Sequence, residues 1–342
     1  MKASLVDLLS GHGLVLPLAA FLVTGALVFL IAARLARHAD AIADATGLGR
    51  LWIGTILLSA ATSLPELTTD VSAAALGTPD IGIGDLFGST LANMLILAVL
   101  DLAFARRRIL QQVAVDHALV GTLAILMTGI AALSIASGGF GQLGPVGVDA
   151  LMILALYLFG MRAVYRATQV VAPTPTQQME LGESSRSLLR GGLAGMALAA
   201  LGLLATAPLL VIAAEAISLE AGVSQTFIGT TLVGVTTSFP EIAASVAAVR
   251  MGALDLAIGN LFGSNAFNLC IVLAMDLAYP GGPVLAAVSR SHLTSALGAI
   301  LCIGLGTLAI LARAQQRPSL VRIESLLIVA VYGLVVALLA RG

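Results

Sequence analysis

The sequence predicts an all-α polytopic membrane protein of ten transmembrane helices, arranged as two inverted five-helix repeats. Three observations carry that prediction: composition, the spacing of apolar stretches, and a segment that occurs twice. Of 342 residues, 59% are hydrophobic and only 10% charged, with a mean hydropathy of +1.04. A soluble domain carries roughly 25% charged residues. Residues 54–103 and 229–278 align without a gap at a constant offset of 175, and 22 of the 50 positions are identical. The net charge is −1 and no basic block is present, which excludes nucleic acid as a partner. With one Trp and four Tyr, interfacial aromatic belts will be thin.

A bilayer core takes ~20 apolar residues per helix. Ten stretches qualify: about 14–36, 51–76, 81–104, 117–137, 147–167, 191–214, 225–250, 256–279, 291–313 and 321–340. The first runs about 22 residues from Leu14, long for a signal-peptide core, so it is read as a retained span. Gly77-Thr78-Pro79-Asp80, Gly138-Gly139, Gly144-Pro145 and Pro280-Gly281-Gly282-Pro283 mark breaks between spans. The longest hydrophilic stretch is 168–190. It divides the chain into a first repeat at 1–167, a cytoplasmic linker at 168–190 and a second repeat at 191–342. Fourteen arginines, among them Arg34, Arg50, Arg107, Arg166 and Arg250, fall on one side of these spans. Only Lys2, Arg290 and Arg341 fall on the other. The positive-inside rule then puts both termini outside. Five spans per repeat is an odd number, so the second half is inverted relative to the first. Similarity begins before the signatures, where Asp40 aligns with Glu215 and Gly47 with Gly222. Cys270 and Cys302 sit in apolar stretches and read as reduced packing residues.

Polar residues inside such spans are costly and mark function. Each copy carries Thr-Ser-x-Pro-Glu, then Gly-Ser-x-x-x-Asn. Glu66 and Glu241 fall near the middle of spans two and seven, with no Lys or Arg close by except Arg250 at a helix end. Two carboxylates at that depth require a countercharge, most simply a bound cation. Pro65 and Pro240 lack an N–H, which frees the carbonyls of Ala61 and Thr236. Ser63 and Glu66, three residues apart, should share a helix face, as should Ser89 with Asn93 and Ser264 with Asn268. With Thr62, Thr237 and Ser238 the set is all oxygen, without sulfur or imidazole. It suits Ca²⁺ or Na⁺ and not zinc or copper. Gly84, Gly88, Gly259 and Gly263 read as close-approach positions between helices. Inverted repeats that meet in an ion site at the midplane are the plan of many secondary transporters.

The paired Thr-Ser-x-Pro-Glu and Gly-Ser-x-x-x-Asn blocks resemble the α-repeats of the calcium/cation antiporter superfamily, in the form of its sodium/calcium exchanger branch. The resemblance implies Ca²⁺ exchange against Na⁺ by alternating access, with spans one and six sliding across a core made by the other eight. It implies ligands at Thr62, Ser63, Glu66, Ser89, Asn93, Thr237, Ser238, Glu241, Ser264 and Asn268, and backbone ligands at the carbonyls of Ser59 and Gly234. Three positions depart from the family pattern. Asn268 stands where Asp is common, Thr90 replaces an Asn that Asn265 keeps, and Asp70 replaces a small Ser whose counterpart is Ser245. Asp70, one turn after Glu66, is read as an accessory or access-path carboxylate. The implied partners are the transported ions and the lipid bilayer, with no cofactor and no protein partner. The expected location is a prokaryotic cytoplasmic membrane.

Other readings stand beside this one. Proton/Ca²⁺ exchange would use the same glutamates as proton acceptors. Gly82-Ile-Gly-Asp85 resembles the Gly-x-Gly-Asp motif of intramembrane aspartyl proteases, with Asp70 as the second member of a dyad. Against it, the repeat makes Asp85 the counterpart of Asn260. A channel would need a filter, and no stretch reads as one. Asp101 and Asp276 read as helix-end hydrogen-bonding residues, Asp80 and Asp255 as N-caps, and His12, His38, His117 and His292 as scattered near span ends.

Overall fold

The computed structural model describes residues 9, 13–104, 110, 113–168, 183–221, 234–313 and 320–340. Within these, only the backbone is described at 167–168, 183–187, 214–215, 218–219, 221, 234, 313 and 320–322. Part of the predicted seventh span (225–233), most of the linker, and Lys2, His12, Arg107 and Arg341 lie outside the described residues.

Helix α1 (Val15–Thr46) extends ten residues past its predicted end. It stops where Gly47 turns left-handed, φ 67°, and its N–H closes on the Ala43 carbonyl. Arg50, paired with Asp40 and Asp44, opens α2 (Arg50–Ile53). A π-helical turn at Gly54–Leu58 leads into α3 (Ser59–Thr62), and α4 (Leu64–Ala75) restarts after Ser63. Then come α5 (Pro79–Ala103), which starts on Pro79 as first-turn prolines allow, and α6 (His117–Ser137). A two-residue hairpin, β1 (Gln142–Leu143) and β2 (Val146–Gly147), turns at Gly144-Pro145 before α7 (Val148–Thr168).

In the second half, α8 (Glu183–Ala221) begins inside the stretch read as linker, so that stretch is helical from Glu183. It is followed by α9 (Gly234–Thr237), α10 (Phe239–Met251) and α11 (Leu254–Ala278). The short α12 (Val284–Ala287), then α13 (His292–Arg313) and α14 (Leu320–Leu339) complete the chain.

Seven of these helices are long and apolar enough to cross a membrane, and two shorter apolar ones, 50–62 and 323–339, accompany them. The protein is a mostly helical, multi-pass membrane protein.

Burial ranks the helices. The apolar window of α11 is 83% buried and that of α5 67%, against 22% for α1. Helices α5 and α11 form the centre, with α4, α6, α7, α10, α13 and α14 packed around them. Helices α1 and α8 pack along each other and touch the remainder chiefly through α10 and α4.

Close approach at the centre depends on glycine. Helix α11 lays Gly259 and Gly263 on the π-helical turn. A Cβ at Gly263 would stand 2.7 Å from Thr55 Cα, and one at Gly259 2.9 Å from the Leu51 carbonyl oxygen. Gly54 returns the contact, since a Cβ there would meet the Leu256 carbonyl at 2.6 Å. Without a hydrophobic drive between helices in lipid, such backbone-to-backbone packing is a main source of association.

Asp80 and Asp255 are not the N-caps the sequence suggested. Thr78 and Ala253 hold the cap positions, and neither makes a side-chain cap bond. The two aspartates reach across the molecule instead. Asp255 accepts from the Ala114 N–H at 2.7 Å and pairs with His117 Nε2 at 3.0 Å. Asp80 accepts from the Ser289 N–H at 2.8 Å and pairs with His292 Nε2 at 3.0 Å. Ala114 and Ser289, like His117 and His292, are 175 residues apart.

Candidate cation-binding site

Both predicted proline kinks interrupt the helix. Ser63 (φ −84°, ψ 9°) ends one helix and precedes the next, and Ser238 (φ −77°, ψ 5°) does the same. Pro65 and Pro240 then occupy the first turns of α4 and α10, where no N–H is needed. The breaks put Glu66 and Glu241 in those first turns, where the positive end of a helix favours an anion. Neither Ser63 nor Ser238 caps its helix with its side chain, so both hydroxyls are left to the interior.

Every side chain predicted as a ligand and described here is buried. Ser59, Thr62, Ser63, Glu66, Ser89, Asn93, Thr237, Ser238, Glu241, Ser264 and Asn268 are each 0% exposed, as is Asp70. Gly234 opens α9. The hydrogen bonds run between the two signatures. Ser63 Oγ donates to Glu241 Oε1 at 3.2 Å, and Ser264 Oγ donates to the same oxygen at 3.3 Å. Ser63 therefore serves the opposite glutamate, not Glu66 three residues on, because the helix breaks between them. Ser89 Oγ lies 3.3 Å from Thr237 Oγ1, and Asn93 Nδ2 donates to Asn265 Oδ1 at 3.0 Å. The Ser59 carbonyl already accepts from the Ser63 N–H at 2.9 Å and the Thr62 hydroxyl at 3.2 Å.

Several buried oxygens have no hydrogen-bond partner among the described residues: both of Glu66, Oε2 of Glu241, Oδ1 of Asn93, Oδ1 of Asn268 and Oγ of Ser238. Glu66 also lies within electrostatic reach of Glu241, Asp85 and Asp70. Buried polar atoms are nearly always satisfied, and a set of unsatisfied oxygens drawn from both signatures is what a hard cation can satisfy. Among the described residues no three His, Cys, Asp or Glu side chains converge on one point, so this is no zinc-type cluster. The donors are two carboxylates with hydroxyls and amides.

Sequence reasoning left Asp85 and Asn260 out of the ligand set. Thr237 Oγ1 donates to Asp85 Oδ1 at 3.0 Å, and Thr62 Oγ1 lies 3.1 Å from Asn260 Oδ1. The signal was legible: Asp85, Ser89 and Asn93 repeat every four residues, one stripe of a helix. Asp101 and Asp276 bind neighbouring segments, as expected of helix-end residues. Ser325 Oγ donates to Asp101 at 2.9 Å, and the Gly147 and Val284 N–H groups donate to Asp276 at 2.8 Å each.

A family model described as "Sodium/calcium exchanger protein" matches residues 16–165 and 191–341. The chain is a member of the sodium/calcium exchanger protein family. It is similar to the putative antiporter CaxA of Alkalimonas amylolytica, 31% identical over 280 residues, covering 77% of this chain and 81% of that one. It is also similar to the inner membrane protein YrbG of Escherichia coli K12, 28% identical over 293 residues, covering 83% and 88%. Its fold is that of the sodium-calcium exchanger NCX_Mj, with a TM-score of 0.70 over 94% of this chain and 98% of that one, at 23% identity. An exchanger of this family is a transporter. The protease reading required Asp70 and Asp85 to meet, and they do. It leaves Glu66, Glu241, Asn93 and Asn268 without a role.

Proposed function

We propose that the protein is a secondary active antiporter that moves Ca²⁺ against Na⁺ by alternating access. The observation that carries this reading is the set of buried, unpartnered oxygens on Glu66, Glu241, Asn93, Asn268 and Ser238, drawn from both signatures. The ions are held by Glu66 and Glu241 with Thr62, Ser63, Ser89, Asn93, Thr237, Ser238, Ser264 and Asn268, and the carbonyls of Ser59 and Gly234 complete the shell. The charge of −2 on the two glutamates is neutralised by one Ca²⁺ and approximately by two Na⁺, which lets the same cavity cycle between them.

The ten predicted stretches cross the bilayer as two inverted five-helix repeats, 1–167 and 191–342, joined by a cytoplasmic linker, with both termini outside in the cytoplasmic membrane. Helices α1 and α8, packed along each other, are the pair that slides. Hydrogen bonds matched at the 175-residue offset support the repeat, and the arginine distribution supports the orientation.

A second reading is proton/Ca²⁺ exchange. It is favoured by the excess of buried carboxylates, Glu66, Asp70, Asp85 and Glu241, with no buried Lys or Arg among the described residues. Ca²⁺ flux into proteoliposomes under separate Na⁺ and H⁺ gradients decides between them. Flux that follows the Na⁺ gradient at fixed pH supports the first reading, and flux indifferent to Na⁺ overturns it.

A further inference from the structure

Two buried carboxylates remain outside the glutamate pair. Asp70, on α4, is 0% exposed and Asp85, on α5, 2%. Gly82 lets the two helices close, since a Cβ there would stand 3.2 Å from Asp70 Cα, and the carboxyl groups meet across that contact. Apart from each other, no donor among the described residues reaches either oxygen of Asp70, nor Oδ2 of Asp85. Asp85 Oδ1 accepts from Thr237 at 3.0 Å.

The other signature provides the control. At the positions equivalent to Asp70 and Asp85 stand Ser245 and Asn260, a neutral pair in which Asn260 Nδ2 donates to Ser245 Oγ at 3.2 Å. The same helix contact thus works without charge. Two adjacent anions in its place cost several kcal/mol unless something positive lies between them. The described buried residues include no Lys or Arg to do this. A single shared proton leaves one of the two charges uncompensated, whereas one divalent ion cancels both. Glu66 interacts electrostatically with Glu241, and Asp70 with Asp85. Glu66, whose oxygens are both unpartnered, stands one turn before Asp70 at the junction between the pairs.

We infer that Asp70 and Asp85, with the hydroxyls of Ser89 and Thr237, form a second hard-cation site beside the Glu66–Glu241 site, one that takes a divalent ion of the Ca²⁺ type. Its donors are oxygen only, as that ion requires. The inference rests on the exchanger reading for the identity of the ion, but its test does not depend on transport.

The test is the binding of radiolabelled Ca²⁺ to the purified full-length protein in detergent, by equilibrium dialysis in Na⁺-free buffer. The wild type is expected to bind two Ca²⁺ per chain. D70S/D85N, which copies Ser245 and Asn260, is expected to bind one, and E66Q/E241Q is expected to bind one. Equal stoichiometry in the wild type and D70S/D85N would overturn the inference, and would mean that protons neutralise the pair. Should the exchanger reading fail instead, E66Q/E241Q will bind as much as wild type while D70S/D85N still loses one ion. D70N and D85N keep the test decisive if the double variant does not fold. Each is expected to weaken one binding step by about tenfold or more, and an unchanged isotherm in both counts against the site.

Discussion

Several side-chain contacts of residues 54–103 and 229–278 match at the 175-residue offset. Thr62 meets Asn260 as Thr237 meets Asp85, and Ser245 meets Asn260 as Asp70 meets Asp85. His117 and Ala114 hold Asp255 as His292 and Ser289 hold Asp80. The chemistry at the matched positions is unequal. Glu241 accepts two hydroxyls, from Ser63 and Ser264, whereas Glu66 accepts none. The hydroxyls that would serve Glu66 by symmetry are Ser238, which has no partner, and Ser89, which is turned to Thr237 and so toward Asp85. One carboxylate is held by hydrogen bonds and the other is left without a hydroxyl donor. Two copies of one scaffold can therefore hold equivalent positions and differ in how they satisfy them.

The largest effect should come from the glutamates. E66Q and E241Q each remove a charge-assisted contact of about 3 kcal/mol, so Ca²⁺ affinity should fall by about 100-fold in both, read by Ca²⁺ flux in proteoliposomes. The comparison sharpens without Ca²⁺. E66Q should raise the thermal unfolding midpoint more than E241Q does, because Glu66 is the carboxyl group without a hydroxyl donor; the reverse order would contradict the asymmetry.

Next is the central packing. G263A pushes a methyl group into the Thr55 backbone and should cost about 1–3 kcal/mol in unfolding and reduce flux. G304A, in α13, meets only Ile125 Cδ1 at 4.0 Å and should be nearly neutral.

Smaller is the hydroxyl contrast. S63A takes a bond from Glu241 and should weaken Ca²⁺ binding about 5-fold, a loss of about 1 kcal/mol. S238A removes an oxygen with no protein partner, so its effect should appear only with the ion present. A matching loss of stability without Ca²⁺ would show that Ser238 has a structural role.

Smallest are the two cross-molecule pairs. H117A, at a fully buried imidazole, should lower the unfolding midpoint more than H292A, whose partner Asp80 is half exposed and screened by water.

The residues themselves made much of this readable. Thr-Ser-x-Pro-Glu gave the helix breaks a physical cause in proline, and isolated carboxylates in apolar stretches announced a site. The partners were not readable. Ser63 sits three residues from Glu66, and intact helical geometry would pair them. The break at Ser63 sends its hydroxyl to Glu241 instead. Asp80 and Asp255 look like caps because local rules know only the helix they begin, whereas their bonds go to residues more than 130 positions away. The first and sixth helices were read short because their polar extensions, 37–46 and 183–190, fall below a membrane-span criterion while remaining helical.

By itself the sequence determined the membrane setting, the doubled signature and the oxygen-only chemistry of the candidate residues, since each follows from composition, offset and side-chain type. Only the tertiary structure decided which of those oxygens are already satisfied and which are left without a partner, and that Asp70 and Asp85 meet. Hydrogen bonds and carboxylate contacts between helices depend on distances of a few ångströms across glycine-lined contacts. Those distances are set by packing, and no local pattern in the chain encodes them.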